Sequence, residues 1–428
     1  LSIRYLLIRQ KKQMQISIKD KEVQNLIQAE EQRQIMGIEL IASENYQSPA
    51  ILQAQSSVFA NKYAEGFPKR YYGQENTDQL EQLAIDRAKA IFRADHANVQ
   101  ALSGAAANLC FYSAVMEPDH ILGMDMKYGG HLTHGAPVTF ISKVFNFHGY
   151  QTLADGSIDF DQIRSLAHEF HPKVILAFSA YPRELDYERF VEIANEVAIA
   201  YADMSHIAGF IAAGLLKNPL DYGFHAMMTT THKSLRGPRA LILSRGTVNP
   251  LKKPEFSIEN IPTLIDRAVF PGMQGPHMNT IAAIAVALEV QTSDFSHYAQ
   301  QTLKNAKAMA DEFLALGYDL VTGGTDNHMM LLDFSKEEFD GGEVEKVLDK
   351  VGISVSKSLV PNDMRPAFAP SGLRIGTPAM TTRGMSESDV RIVARLIDRV
   401  IKQRNNSSEL SVLREEVRAF AQRFPLPG

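Results

Sequence analysis

The run Thr229-Thr230-Thr231-His232-Lys233-Ser234-Leu235-Arg236-Gly237-Pro238-Arg239 sets one lysine among hydroxyls, beside a histidine, with no acidic residue in the stretch. An ion-pairing surface lysine more often has a carboxylate nearby. A lysine that forms a Schiff base must instead spend time as the neutral amine, which desolvation and adjacent positive charge favour. His232, Arg236 and Arg239 are the candidates for that charge. Thirty residues upstream, the apolar run Ala198–Ala202 ends in Asp203-Met204-Ser205-His206. An aspartate at a strand end followed by a Schiff-base lysine is the arrangement pyridoxal phosphate requires. The carboxylate keeps the pyridine nitrogen protonated, so that the ring can act as an electron sink.

Five further segments join this run: 39–45 (ELIASEN), 61–66 (NKYAEG), 129–135 (GGHLTHG), 203–209 (DMSHIAG) and 371–379 (SGLRIGTPA). In this order the set resembles the serine hydroxymethyltransferase family, from about Asp20 to the C-terminal helices. The resemblance implies a pyridoxal phosphate-dependent fold of type I (aspartate-aminotransferase-like): a large, mostly parallel α/β sheet domain and a smaller C-terminal α+β domain. It implies pyridoxal 5'-phosphate as cofactor, tetrahydrofolate as cosubstrate, and reversible conversion of L-serine to glycine through a retro-aldol cleavage whose quinonoid carbanion is delocalised into the ring. It also implies a homodimer or a dimer of dimers with shared active sites.

The site residues follow from the matching positions. Lys233 is the expected Schiff-base lysine, Asp203 the pyridine-nitrogen partner, and His206 lies near the phenolic oxygen. Ser103, Gly104 and Ala105 open a helix whose backbone N–H groups suit a phosphate, and Ser179, His232 and Gly275 are further cofactor contacts. His131 is expected to stack on the pyridine ring, and Thr230 to supply the hydroxyl beside the lysine. Arg374 offers the planar fork that binds an α-carboxylate in bidentate fashion, with Ser43 as a second contact. Tyr63, Glu65 and Tyr72 would reach a neighbouring subunit's site, Glu65 as acid/base for the substrate hydroxyl and Tyr72 as a gate. Gly130, Leu132 and Ser358 are the expected folate contacts, with Ser358 standing where the family often has asparagine. His131 and His134 lack a carboxylate or cysteine to complete a ligand set, so no metal is expected.

Composition sets wide bounds. The 428 residues carry 44 Lys plus Arg against 49 Asp plus Glu, a formal charge of −5. That balance gives no bias toward nucleic acid or membrane, and no apolar run reaches the roughly 18 residues of a membrane span. Cys110 is the single cysteine, so no intrachain disulfide forms; a cytoplasmic location is expected, with Cys110 as apolar filler. Residues 1–19 are free of acid and basic, which suits either a transit segment or upstream translation before a start at Met14, and the latter is preferred.

Apolar strands are expected at 120–125, 174–180, 198–203, 226–231 and 240–244, with helices at 104–116 and 184–197 between them. This alternation argues for a mostly parallel sheet. A long helix from about Thr280 should lead to the C-terminal part, which ends in two helices, the first opened by a capping box at Ser386-Glu387-Ser388-Asp389. The expected division is 1–38 leader and arm, 39–285 large domain, and 286–428 small domain.

Seven junctions are one glycine short of the family pattern: at Pro68-Lys69, Gly73, Pro118-Asp119, Ala177-Phe178, Val197-Ala198, Arg239-Ala240 and Gln274-Gly275. Random deletions would not all fall on glycine. The hypothesis is that the source reads a nominal stop codon as glycine and that these residues were dropped in translation; protein-level peptide sequencing decides it. Two other functions stay open at this stage: a folate-independent aldolase or transaldolase for β-hydroxy amino acids, and an inactive binding relative.

Overall fold

The computed structural model describes residues 18–68, 70–115, 120–178, 180–246, 261–273, 275–290 and 293–427. The expectations for the N-terminal leader and for Ser179 lie outside them. The strands are Ile38–Glu39 (β1), His96–Asn98 (β2), His120–Met124 (β3), Asn146–Tyr150 (β4), Val174–Phe178 (β5), Ile199–Asp203 (β6), Ala226–Thr230 (β7), Ala240–Ser244 (β8), Asp319–Leu320 (β9), Met329–Asp333 (β10), Ile353–Ser354 (β11), Ser356–Ser358 (β12) and Gly372–Gly376 (β13).

Seven of them form one sheet in the order β2-β8-β7-β6-β5-β3-β4. β4, β3, β5, β6 and β7 run parallel; β8 pairs antiparallel with β7, and β2 pairs antiparallel with β8 at the edge. Every residue of β5, β6, β7 and β8 is buried. Such unbroken apolar runs are what helices on both faces of a parallel sheet demand. The covering helices carry the complementary stripe. Helix Tyr187–Val197 is capped by Asp186, which accepts from the Arg189 N–H, and buries Tyr187, Phe190, Ile193 and Ala194.

A second sheet, β12-β13-β10-β9, is antiparallel and packs with helices Gly341–Val351, Glu387–Lys402 and Ser407–Ala421 around a core of its own. The Ser386/Asp389 capping box is present, and Val390, Val393, Ala394, Ile397, Val400 and Ile401 are all buried. β1 pairs in parallel with β11, so Ile38 and Leu40 belong to this second core. The long helix expected from Thr280 is instead two, Met278–Ala287 and Ser293–Ala315. The first is buried almost all round; the second starts at the short polar pair Ser293-Asp294, residue types that favour helix starts over helix interiors. It then bridges the cores, with Phe295, Tyr298 and Ala299 in one and Met309, Ala310 and Phe313 in the other.

Candidate active site

In a parallel sheet the C-terminal strand ends lie along one edge, where ligands of open α/β folds bind. Register places Phe178 beside Asp203 and Asp203 beside Met228. Asp203 therefore ends β6 one strand away from Thr230, and β7 runs directly into the loop that carries Lys233. That loop is pinned from several sides. Asn45 Nδ2 donates to the Lys233 carbonyl (2.9 Å). Ser234 Oγ donates to the His206 carbonyl (3.0 Å) and accepts from the Gly209 N–H (2.9 Å). A Cβ at Gly209 would sit 2.6 Å from the Ser234 carbonyl oxygen, so only glycine permits this approach.

Ser43, Gly104, Ala105, Gly130, His131, Asp203, His206, Thr230, His232, Lys233 and Arg374 line one cavity of about 320 Å³. Lys233 Nζ donates to Thr230 Oγ1 at 2.8 Å. Burial draws its pKa down to about 8; the Asp203 carboxylate opposes this and the Arg374 guanidinium assists it. The expectation that His232, Arg236 and Arg239 supply the positive charge is corrected here. Arg236 lies over the Tyr298 ring (4.3 Å) and Arg239 donates to the Leu102 carbonyl (2.7 Å). His232 is itself drawn down to about 4, by burial first and then by Lys233, and so is neutral. Proximity in sequence misled: the nearby charge comes from the second sheet.

Asp203 is buried, which works against its ionisation, yet His134 Nε2 at 3.0 Å and the Ser205 N–H at 3.0 Å hold the carboxyl well below the usual range. Asn108 Nδ2 adds a longer contact (3.3 Å), and Tyr112 Oη lies 3.0 Å from His134 Nδ1. His131 accepts from the Thr133 N–H at Nδ1 (3.2 Å), which leaves its proton on Nε2. Burial, and then His134, bring it down to about 4. Arg374, on β13, has a buried Nε with no partner, and among the described residues no carboxylate pairs with it.

These residues fit pyridoxal phosphate and an amino acid. The lysine is poised to deprotonate and shares the cavity with an ionised buried carboxylate. The helix Gly104–Val115 starts at the cavity wall, where a Cβ on Gly104 would meet Thr230 Cγ2 at 2.8 Å. The orphaned guanidinium nitrogen of Arg374 needs an anion. Ser103 accepts from the Ala106 N–H and so caps that helix.

The other expected residues lie elsewhere. Ser358 lines an adjoining cavity of about 240 Å³, which also reaches Gly130 and Arg374. Leu132 is half exposed beside His131. Tyr63, Glu65, Tyr72 and Gly275 are not in the Lys233 cavity. Glu65 lies against Gly275, and Tyr72 is 99% exposed. Sequence reasoning missed Asn108, Tyr112 and Asn45, and considered His134 only as a metal ligand. Asn108 lies one turn beyond Gly104, and its spacing was the available signal.

A family model described as serine hydroxymethyltransferase matches residues 16–397. A serine hydroxymethyltransferase of Desulfotalea psychrophila is 47% identical over 416 residues, covering 96% of this chain and 95% of its own length. One from Acinetobacter baumannii is 47% identical over 420 residues, covering 96% and 98%. With the lysine, aspartate and arginine brought to one cavity, the matches agree with the chemistry, and the chain belongs to the serine hydroxymethyltransferase family.

Proposed function

We propose that the Lys233 cavity is where this chain carries out its family's reaction, the reversible transfer of the hydroxymethyl carbon of L-serine to tetrahydrofolate, giving glycine and 5,10-methylenetetrahydrofolate. The enzyme is a pyridoxal phosphate-dependent transferase. The observation that carries the site assignment is the half-buried Lys233 amine, drawn down to about 8 and sharing its cavity with Asp203 and Arg374. When bound, pyridoxal phosphate supplies a carbonyl that condenses with amines and a pyridine ring that takes up the electron pair left when a bond to Cα breaks.

The chain's own residues do the rest. Lys233 is neutral often enough near pH 8 to act as a nucleophile, and Thr230 Oγ1 orients its amine. Asp203, kept ionised by His134 and Ser205, would hold a proton on the pyridine nitrogen of the bound cofactor. Arg374 grips the α-carboxylate and so fixes which bond to Cα can break. The cavity lined by Gly130 and Ser358 opens beside Arg374 and has room for a second reactant, which favours folate-dependent transfer over a folate-free aldolase.

The proton at the substrate hydroxyl is assigned to Glu65 of a second copy. Support comes from the position of Glu65 and Tyr72 outside their own chain's cavity, and from the aromatic surface left bare around them: Tyr63 68%, Tyr71 57% and Tyr72 99% exposed. Arg70 fixes this loop through Asp78 (2.6 Å) and Glu81. A closed dimer that donates Glu65 in both directions would complete two sites. No helix among the described residues is long and apolar enough to cross a membrane, and a cytoplasmic location is our reading.

Serine turnover should require tetrahydrofolate and vanish in Lys233→Ala, together with the visible absorption of the bound cofactor. Multiple turnovers in that variant would remove Lys233 from the chemistry. Mixed dimers of Lys233→Ala and Glu65→Gln chains should regain part of the activity, since one of their two sites is intact; confirmed mixed dimers without activity would end the shared-site reading.

A further inference from the structure

His328, the residue before β10, is fully buried and belongs to none of the positions expected from sequence. Its Nε2 lies 3.2 Å from the Ala42 carbonyl oxygen and 3.4 Å from Nδ1 of His206. The two rings are nearly parallel, 20° apart with centroids 5.6 Å apart, and the Phe210 ring packs on His328 at 5.4 Å, tilted by 32°. Nδ1 of His328 is buried with no hydrogen-bond partner. The backbone is held as firmly as the ring: the Thr377 N–H donates to the His328 carbonyl at 3.1 Å, three residues beyond Arg374.

The protonation pattern follows from these contacts. A carbonyl oxygen only accepts, so the nitrogen facing Ala42 carries the hydrogen. The opposite tautomer of His328 would set a bare nitrogen against the carbonyl lone pairs and bury an N–H without an acceptor, which is two penalties at once. With the hydrogen on Nε2, the unpartnered Nδ1 is only a lone pair, the cheaper group to leave unpaired. Burial, foremost, keeps this imidazole neutral, down to about 3. The Nε2–H of His328 then also faces His206 Nδ1, and two N–H groups cannot point at one another. His206 must accept there and carry its own proton on Nε2. His206 lines the cavity with Lys233 and Asp203.

We infer that His328 is a positioning residue for the Lys233 site: it fixes His206 as the Nε2–H tautomer, a hydrogen-bond donor on the side away from His328, and ties the segment bearing Ser43 to the strand bearing Arg374. Ala42 precedes Ser43, and Gly376 at the end of β13 donates to the Leu40 carbonyl at 2.8 Å. One buried residue, through its ring and its backbone carbonyl, thus joins three stretches of chain that each contribute a side chain to the cavity. A donor at His206 suits an oxygen anion of the bound cofactor and would be wasted in the other tautomer. This role rests on the proposed function above, but the tautomer does not.

The test uses the protein as purified, labelled with ¹⁵N-histidine. Long-range proton–nitrogen spectra classify each of the 13 imidazoles by tautomer; His206→Asn and His328→Gln spectra assign the two signals. Both rings should be neutral with the proton on Nε2 through the neutral pH range. His328→Leu fills the space but removes the donor. It should let His206 sample the other tautomer, alter the pH profile of the cofactor's visible absorption, and lower kcat about tenfold with little change in the KM for serine. His328→Gln, whose amide N–H reaches the same place, should restore all three. An Nδ1–H tautomer at His206 in the wild type overturns the inference, whether or not the Leu variant folds. So does a folded Leu variant with the wild-type tautomer and pH profile. Failure of the cofactor assignment would show differently, as a wild-type protein with these tautomers and no visible band.

Discussion

Replacing Lys233 with methionine should stabilise the cofactor-free protein while abolishing its activity. The folded-state amine titrates at about 8 against an ordinary 10.5, chiefly because burial penalises the ammonium. At about 1.4 kcal/mol per pH unit, that gap corresponds to about 3 kcal/mol by which folding disfavours the charged form. The cavity mouth leaves part of the side chain in contact with water, and discounting for that screening leaves about 2 kcal/mol. The folded pKa lies below the unfolded one. Between pH 8 and 10.5 the unfolded chain therefore binds more protons, and the stability of the wild type rises with pH. The penalty is fully present below pH 8 and gone above 10.5. Methionine has a similar length, no charge and no titration. Urea unfolding of both cofactor-free proteins should put Lys233→Met ahead by about 2 kcal/mol at pH 7 and level with the wild type near pH 10.5. A variant less stable at pH 7, or an advantage that does not change with pH, would refute the claim that Lys233 is held in a site hostile to its own charge.

Arg374→Lys keeps the charge but loses the fork, and serine binding should weaken by roughly 3 kcal/mol, the scale of a charged hydrogen-bonded pair left with one partner; an unchanged serine dissociation constant in a titration would take Arg374 out of the site. Inserting glycine between Arg239 and Ala240 should raise stability by about 1 kcal/mol in urea unfolding, because the new glycine can take over the φ +67 position that Arg239 now holds, a conformation that costs a side-chain-bearing residue about that much. A loss of stability on insertion would mean that the β7–β8 register, with Thr230 opposite Ala240, is correct as the sequence stands.

Strands were legible where burial on both faces forces an unbroken apolar run. β8 was read to the residue, and β3, β5, β6 and β7 to within two at either end. Boundaries slipped where a strand runs into a functional loop, as at Thr230-Thr231, since β-branched residues suit both. The helix expected from Thr280 was overextended because Met278–Ala287 is apolar on all sides, and without an amphipathic period its end leaves no mark in the sequence. Within the site, the residues proposed to act through their own chemistry were the ones singled out in the sequence: the lysine, the aspartate and the arginine each stand out by type and context, and the fold brings all three to one cavity.

The residues that act through another residue were not. His134 does its work on Asp203 across 69 positions, Asn45 on Lys233 across 188, and His328 on Ala42 across 286. Each is an ordinary polar residue until the sheet edge brings its partner to it. The same limit explains why charge was assigned to Arg236 and Arg239. Neighbours in sequence are cheap to propose, but in a loop closed by the Thr231–Arg239 backbone bond their side chains are taken up by the Tyr298 ring and the Leu102 carbonyl. Arg374 supplies the charge because β13, in a different sheet, brings its guanidinium to the wall of the same cavity. Positive charge from the second sheet has a functional consequence that charge from the lysine's own loop would lack. It depends on the two sheets keeping their relative placement, which the contacts of His328 to Ala42, His206 and Thr377 hold in place.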